Sequence, residues 1–161
     1  MRVLVTGGAG YIGSVATAIL LERGFEVTVL DDCSTGHRDA VSSQAKFIEG
    51  SVLNPESIAL ALTDCSAVLH FAAKSLVGES VEKPDLYFDV NVNGTRNLLD
   101  QMAKAKISKL VFSSTAATYG EPEVIPITEG SFPTYVLIEH GNITKAWHND
   151  AFGVRALNDL N

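Results

Sequence analysis

Gly7, Gly8, Gly10 and Gly13 stand where an apolar run, Arg2–Thr6, gives way to a segment in which Ile12, Val15, Ala16, Ile19 and Leu20 recur at helical spacing. A turn without side chains lets the backbone approach a pyrophosphate closely. The N–H groups at the head of the following helix then hold its negative charge. Strand, glycine turn and helix in that order make Gly7, Gly10, Tyr11, Ile12 and Gly13 candidates for a dinucleotide site, a stronger signal than an isolated G-x-G-x-x-G. Some 18 residues beyond Gly13, Asp31 and Asp32 close a second apolar run. A carboxylate there accepts hydrogen bonds from ribose hydroxyls and repels a 2′-phosphate, and no arginine follows immediately, which favours NAD over NADP. The alternative for one of the two aspartates is a plain loop cap.

The elements that must carry these residues alternate in type. Strands are expected at about 2–6, 26–30, 46–49, 67–71 and 109–113, with helices at about 11–23, 55–62 and 84–106. Gly24 sits where a helix C-cap belongs, and Asn54-Pro55 reads as an N-cap followed by a first-turn proline. The proline-bearing stretch 120–134 reads as a surface loop, and 151–157 as one further strand. This alternation predicts an α/β, Rossmann-type doubly wound parallel sheet.

Composition narrows the partners. At 161 residues with 46% hydrophobic content, the chain is expected to be one domain with a proper core. A formal charge of −7 argues against nucleic acid, which requires a basic face. No apolar run reaches the roughly 20 residues of a membrane span. Met1 leads directly into a strand without a signal peptide, and Cys33 and Cys65 read as reduced thiols, so the expected location is cytoplasmic. No spacing resembles a metal site.

Longer motifs carry a family resemblance. Thr6-Gly-Gly-Ala-Gly-Tyr-Ile-Gly-Ser14, Leu30-Asp31, His70-Phe-Ala-Ala73, Val77-Gly-Glu-Ser80, Asn91-Val-Asn-Gly-Thr95 and Phe112-Ser-Ser-Thr-Ala-Ala-Thr-Tyr-Gly120 follow one another in the order and spacing of a known family. From Met1 to about Pro133 the chain resembles the extended short-chain dehydrogenase/reductases, and among them the UDP-hexose 4-epimerases. The resemblance implies a tightly held NAD that takes a hydride from the sugar 4-position and returns it to the other face of a 4-keto intermediate. It implies that Ser51 and Val52 lie near adenine, that Phe71, Ala72 and Ala73 line the dinucleotide, and that Ser113 lies near the nicotinamide. It makes Thr115 the catalytic hydroxyl, gives Glu79 either a place near the substrate or that of a solvated loop charge, and implies a homodimer through the 84–106 helix. Ala116-Ala117 after Thr115 lack the acid–base pair of the related dehydratases.

The chain departs from that family in three places. Gly50-Ser51 replaces the usual Gly-Asp, removing a charge near the base. No tyrosine stands four residues before a lysine: Lys145 reads as the motif lysine in a displaced register, and His140 as a surface histidine about where the tyrosine belongs. Residues 134–161 are atypical, and the C-terminal substrate domain of the family is absent from the sequence. The reading left beside an epimerase, or a fragment of one, is an inactive NAD-binding module that senses or scaffolds.

Overall fold

The computed structural model describes residues 1–113 and 125–126. The chain divides into two units, 1–110 and 111–161, and the architecture that follows is that of the first, whose last residue, Leu110, opens the fifth strand. Strands β1 (Arg2–Thr6), β2 (Glu26–Asp31), β3 (Lys46–Glu49), β4 (Cys65–His70) and β5 (Leu110–Phe112) form one sheet in the order β3-β2-β1-β4-β5. β1 runs parallel to both neighbours, with Val5 level with Val29 on one side and Leu69 on the other. The Val68 N–H donates to the Lys109 carbonyl at 2.9 Å and ties in the approach to β5.

β1 is central because Val3, Leu4 and Val5 are buried on both faces. Alternation along the strands feeds two cores. Leu4 and Leu30 point to a cluster with Ile58, Leu98 and Met102, under helices α2 (Pro55–Ala61) and α5 (Gly94–Lys104). Val5, Val27 and Val29 point to the opposite cluster, against which Leu20 and Leu21 of α1 (Tyr11–Glu22) pack. Helices on both faces of a parallel sheet make this the expected Rossmann-type doubly wound α/β fold.

The helix ends follow the sequence closely. Gly24, at φ +80°, donates to the Leu21 carbonyl while Phe25 donates to that of Leu20, the paired bonds of a Schellman cap. The Asn54 side chain accepts from the Ser57 N–H at 2.9 Å, with Pro55 at the first helical position.

Between β4 and β5 the helix expected over 84–106 runs unbroken from Pro84 to Lys104 but carries one π-helical turn. The segment is α4 (Pro84–Phe88), a π-helical turn (Asp89–Asn93) and α5. At this turn Gly94 meets Val52 so closely that a Cβ would lie 2.7 Å from its Cγ2, and the Asn91 side chain bonds the backbone of Lys74. A further helix, α3 (Val77–Glu82), covers the Val-Gly-Glu-Ser block, where no element was expected. The expectations over 120–134 and 151–157 lie almost wholly outside the described residues. Among the described residues no helix is long and apolar enough to cross a membrane.

Candidate functional site

The order β3-β2-β1-β4-β5 reverses direction between β1 and β4, which opens a crevice beyond the carboxyl ends of β1, β2 and β4. Its floor is the turn leaving β1. Gly7 has φ +73°, and a Cβ there would lie 2.6 Å from the Ala72 nitrogen, so the glycine turn and the tail of β4 touch backbone to backbone. Gly13 seals the base of α1: its Cβ would lie 2.2 Å from the Gly7 carbonyl oxygen. α1 has Gly10 as its N-cap, with no side-chain cap and no acidic residue in its first turn, so its positive end is left for an anion. Tyr11 and Ile12, on that turn, are 87% and 60% exposed.

The β2 side is acidic and tied to the glycine turn. Asp31 accepts from the Ala9 N–H through Oδ2 at 2.9 Å and from the Cys33 N–H through Oδ1 at 2.8 Å. Each carboxylate oxygen keeps capacity for a further donor, so fixing the loop does not exclude holding a ribose. Asp32 accepts from the Ser34 N–H at 2.9 Å. Burial alone would raise its carboxyl, but the Ser34 side chain and amide, the Lys74 charge and the Ser51 hydroxyl outweigh it and hold Asp32 below its ordinary value. Burial and the neighbouring Asp31 carboxylate push the Cys33 thiol up, which keeps it protonated.

The β4 side is the segment Phe71–Lys74. The Phe71 N–H donates to the Thr6 carbonyl at 3.0 Å. Lys74 is gripped by Asn91, which accepts from its N–H at 2.8 Å and donates to its carbonyl at 2.9 Å. Beneath this segment His70 is buried, and desolvation pushes its imidazole down to about 4, so the ring is neutral at ordinary pH.

The crevice therefore gathers Gly7, Gly10, Asp31, Asp32, Ser51, Val52, Phe71, Ala72 and Ala73 from the expected set. Ser34, Thr35, Gly36, Lys74 and Val90 also line it and were not anticipated. The Ser-Thr-Gly run two residues beyond the second strand was the available signal for three of them. Glu79, by contrast, is a clamp between helices: it accepts from Lys83 Nζ at 3.1 Å and from the Tyr87 hydroxyl at 3.0 Å, and that hydroxyl accepts from the Leu76 N–H. The Lys83 hydrogen bond lowers the Glu79 carboxyl, and burial followed by Glu79 raises the Tyr87 phenol. Ser113 follows β5 and is exposed; Thr115, Tyr119, His140 and Lys145 lie outside the described residues. Among the described residues no group of three His, Cys, Asp or Glu side chains is placed to hold a metal.

Comparison with known proteins agrees with this geometry. The model of the NAD dependent epimerase/dehydratase family matches residues 3–136. The chain is 57% identical over 129 residues to a UDP-glucose 4-epimerase of Corynebacterium glutamicum, covering 80% of this chain and 39% of that protein. It is 46% identical over 163 residues to a UDP-glucose 4-epimerase of Lactobacillus helveticus, covering 96% and 49%. Among solved structures, the Thermus thermophilus UDP-glucose 4-epimerase in complex with NAD matches with a TM-score of 0.75 at 43% identity, over 83% of this chain and 44% of that one. The chain thus spans less than half the length of each of these relatives.

Proposed function

The chain belongs to the NAD dependent epimerase/dehydratase family, and on that footing we propose that it is the dinucleotide-binding portion of a UDP-hexose 4-epimerase that works with NAD. The observation that carries this is the cradle at Gly7 and Gly13, where a Cβ at either position would strike backbone within 2.6 Å and 2.2 Å respectively. Backbone packed so closely beside an uncapped helix start fits a pyrophosphate and little else of that size.

In this reading the amides of the glycine turn hold the pyrophosphate, Asp31 accepts the adenosine ribose hydroxyls, Ser51 and Val52 face the base, and Phe71, Ala72 and Ala73 lie along the dinucleotide. NAD, when bound, supplies a reversible hydride acceptor for C4 of the sugar. The Thr115 hydroxyl donates to the reacting sugar oxygen, Lys145 supplies an orienting cation, and Ser113 lies near the nicotinamide end. The helical stretch 84–106, with Phe88 and Val92 exposed, is the proposed face for a second copy of the chain. Two free cysteines support a cytoplasmic setting.

Native mass spectrometry of the full chain, followed by incubation with UDP-galactose, tests the reading. One NAD per chain is expected. A chain that takes up no NAD overturns the assignment; with NAD bound, formation of UDP-glucose would assign the epimerase activity to this portion itself, and its absence would leave a dinucleotide-binding portion or an inactive module.

A further inference from the structure

His70 closes β4, is 2% exposed, and lies level with Thr6 in the parallel register. Its Nδ1 is 2.6 Å from Thr6 Oγ1, and its Nε2 is 3.0 Å from Thr95 Oγ1. Thr95 Oγ1 lies in turn 2.7 Å from the Asn91 carbonyl oxygen. Two oxygens approach so closely only with a proton between them, and a carbonyl has none to give. The one proton of Thr95 is therefore spent on Asn91, so Nε2 of His70 must donate to Thr95. In a neutral ring Nδ1 is then bare, and it accepts from the Thr6 hydroxyl.

Both ends of this chain of bonds matter to the crevice. Thr6 immediately precedes the glycine turn. Asn91, one turn before Thr95, is the residue whose side chain grips both backbone groups of Lys74. A path of hydrogen bonds thus runs from the end of β1 through the imidazole to the π-helical turn, and from there to the segment that forms the β4 side of the site. Apolar packing alone would fill the same volume but would fix neither the rotation of the turn nor the direction of Asn91.

Building on the cofactor reading above, we propose that His70 is a positioning residue: as the Nε2–H imidazole it fastens the π-helical turn to β1, and so sets the course of Phe71–Lys74 against which the dinucleotide lies. It acts through Thr95 and Asn91.

The test uses the full chain. Nitrogen NMR of the labelled imidazole reads the tautomer in the unmutated protein, where Nε2 is expected to carry the proton and Nδ1 to be bare. Amide hydrogen exchange then compares Thr95→Val with Thr95→Ser. Thr95→Val is expected to speed exchange at the Lys74 amide roughly tenfold, to leave the β1 amides of Leu4 and Val5 unchanged, and to raise the Kd for NAD in step. Thr95→Ser, which keeps the hydroxyl, is expected to restore both. A proton on Nδ1, or a Lys74 amide unmoved by Thr95→Val, overturns the proposal. Should the unmutated chain bind no NAD while the tautomer and exchange results hold, the cofactor reading falls and the role of His70 in setting that wall stands.

Discussion

Lys74 reaches over the crevice to Ser34, its Nζ 3.0 Å from the hydroxyl oxygen. Lys74 follows β4 and Ser34 follows β2, and β1 lies between those strands in the sheet. A bond between their side chains must therefore arch above the carboxyl end of β1, over the glycine turn. Ser34 is joined through its N–H to Asp32, which ties the strap to the loop after β2.

A strap in that place retains whatever lies beneath it. Lys74→Met is expected to speed dissociation of NAD by at most roughly fivefold, since an exposed charged contact is worth little more. The effect should shrink as salt is raised. Stopped-flow displacement of NAD at two ionic strengths measures it; equal off-rates for the variant and the unmutated chain would show that the bond plays no part in retention.

Gly13→Ala should be far more harmful than Gly78→Ala. The first would force a methyl to within 2.2 Å of the Gly7 carbonyl oxygen, whereas the second meets nothing within 4 Å. Overpacking of this kind costs about 1–3 kcal/mol, and the displaced turn should also lose NAD. Urea unfolding and calorimetric titration with NAD, run on both variants, separate the two effects.

Much of this site was legible in the chain because its signals are local. The glycine turn, Asp31 and the Phe-Ala-Ala segment each declare themselves within a few residues, and β1 and β3 fall at 2–6 and 46–49 as the apolar runs predict. The strap was not legible: Ser34 and Lys74 are 40 residues apart and meet only because the strand order brings their loops together over β1. The π-helical turn inside the long helix was hidden for a related reason. Asn91, Asn93 and Gly94 are weak helix formers, and Asn91 and Gly94 also meet Lys74 and Val52 there, contacts that periodicity does not encode. His70 stood within a recognised motif, yet only the placement of Thr6 and Thr95 on either side of its ring shows what it does.

Asp31→Asn tests the acidic side. An amide keeps one acceptor oxygen where the carboxylate offers two, so either the Ala9 or the Cys33 N–H loses its partner and faces an NH₂ group. A buried donor left in that state costs about 1–3 kcal/mol. The variant should bind NAD more weakly and discriminate less against NADP, because the charge that repels a 2′-phosphate is gone. Titration with both dinucleotides checks this; an unchanged preference for NAD would assign discrimination to another group.

Acid should expose the buried imidazole. His70 is pushed down by desolvation from an ordinary value of 6.5 to about 4. Between those values the unfolded chain binds a proton that the folded chain refuses, so the stability His70 contributes is present at neutral pH. It is lost as pH falls from about 6.5, at about 1.4 kcal/mol per pH unit, until the folded ring also protonates near 4. His70→Asn keeps an acceptor for the Thr6 hydroxyl and removes the titration. Between pH 7 and 5.5, before most carboxylates titrate, the unmutated chain should therefore lose about 1 kcal/mol more stability than the variant. Urea midpoints at the two pH values read the difference directly, and parallel losses would mean that the folded ring takes up its proton as readily as the unfolded one.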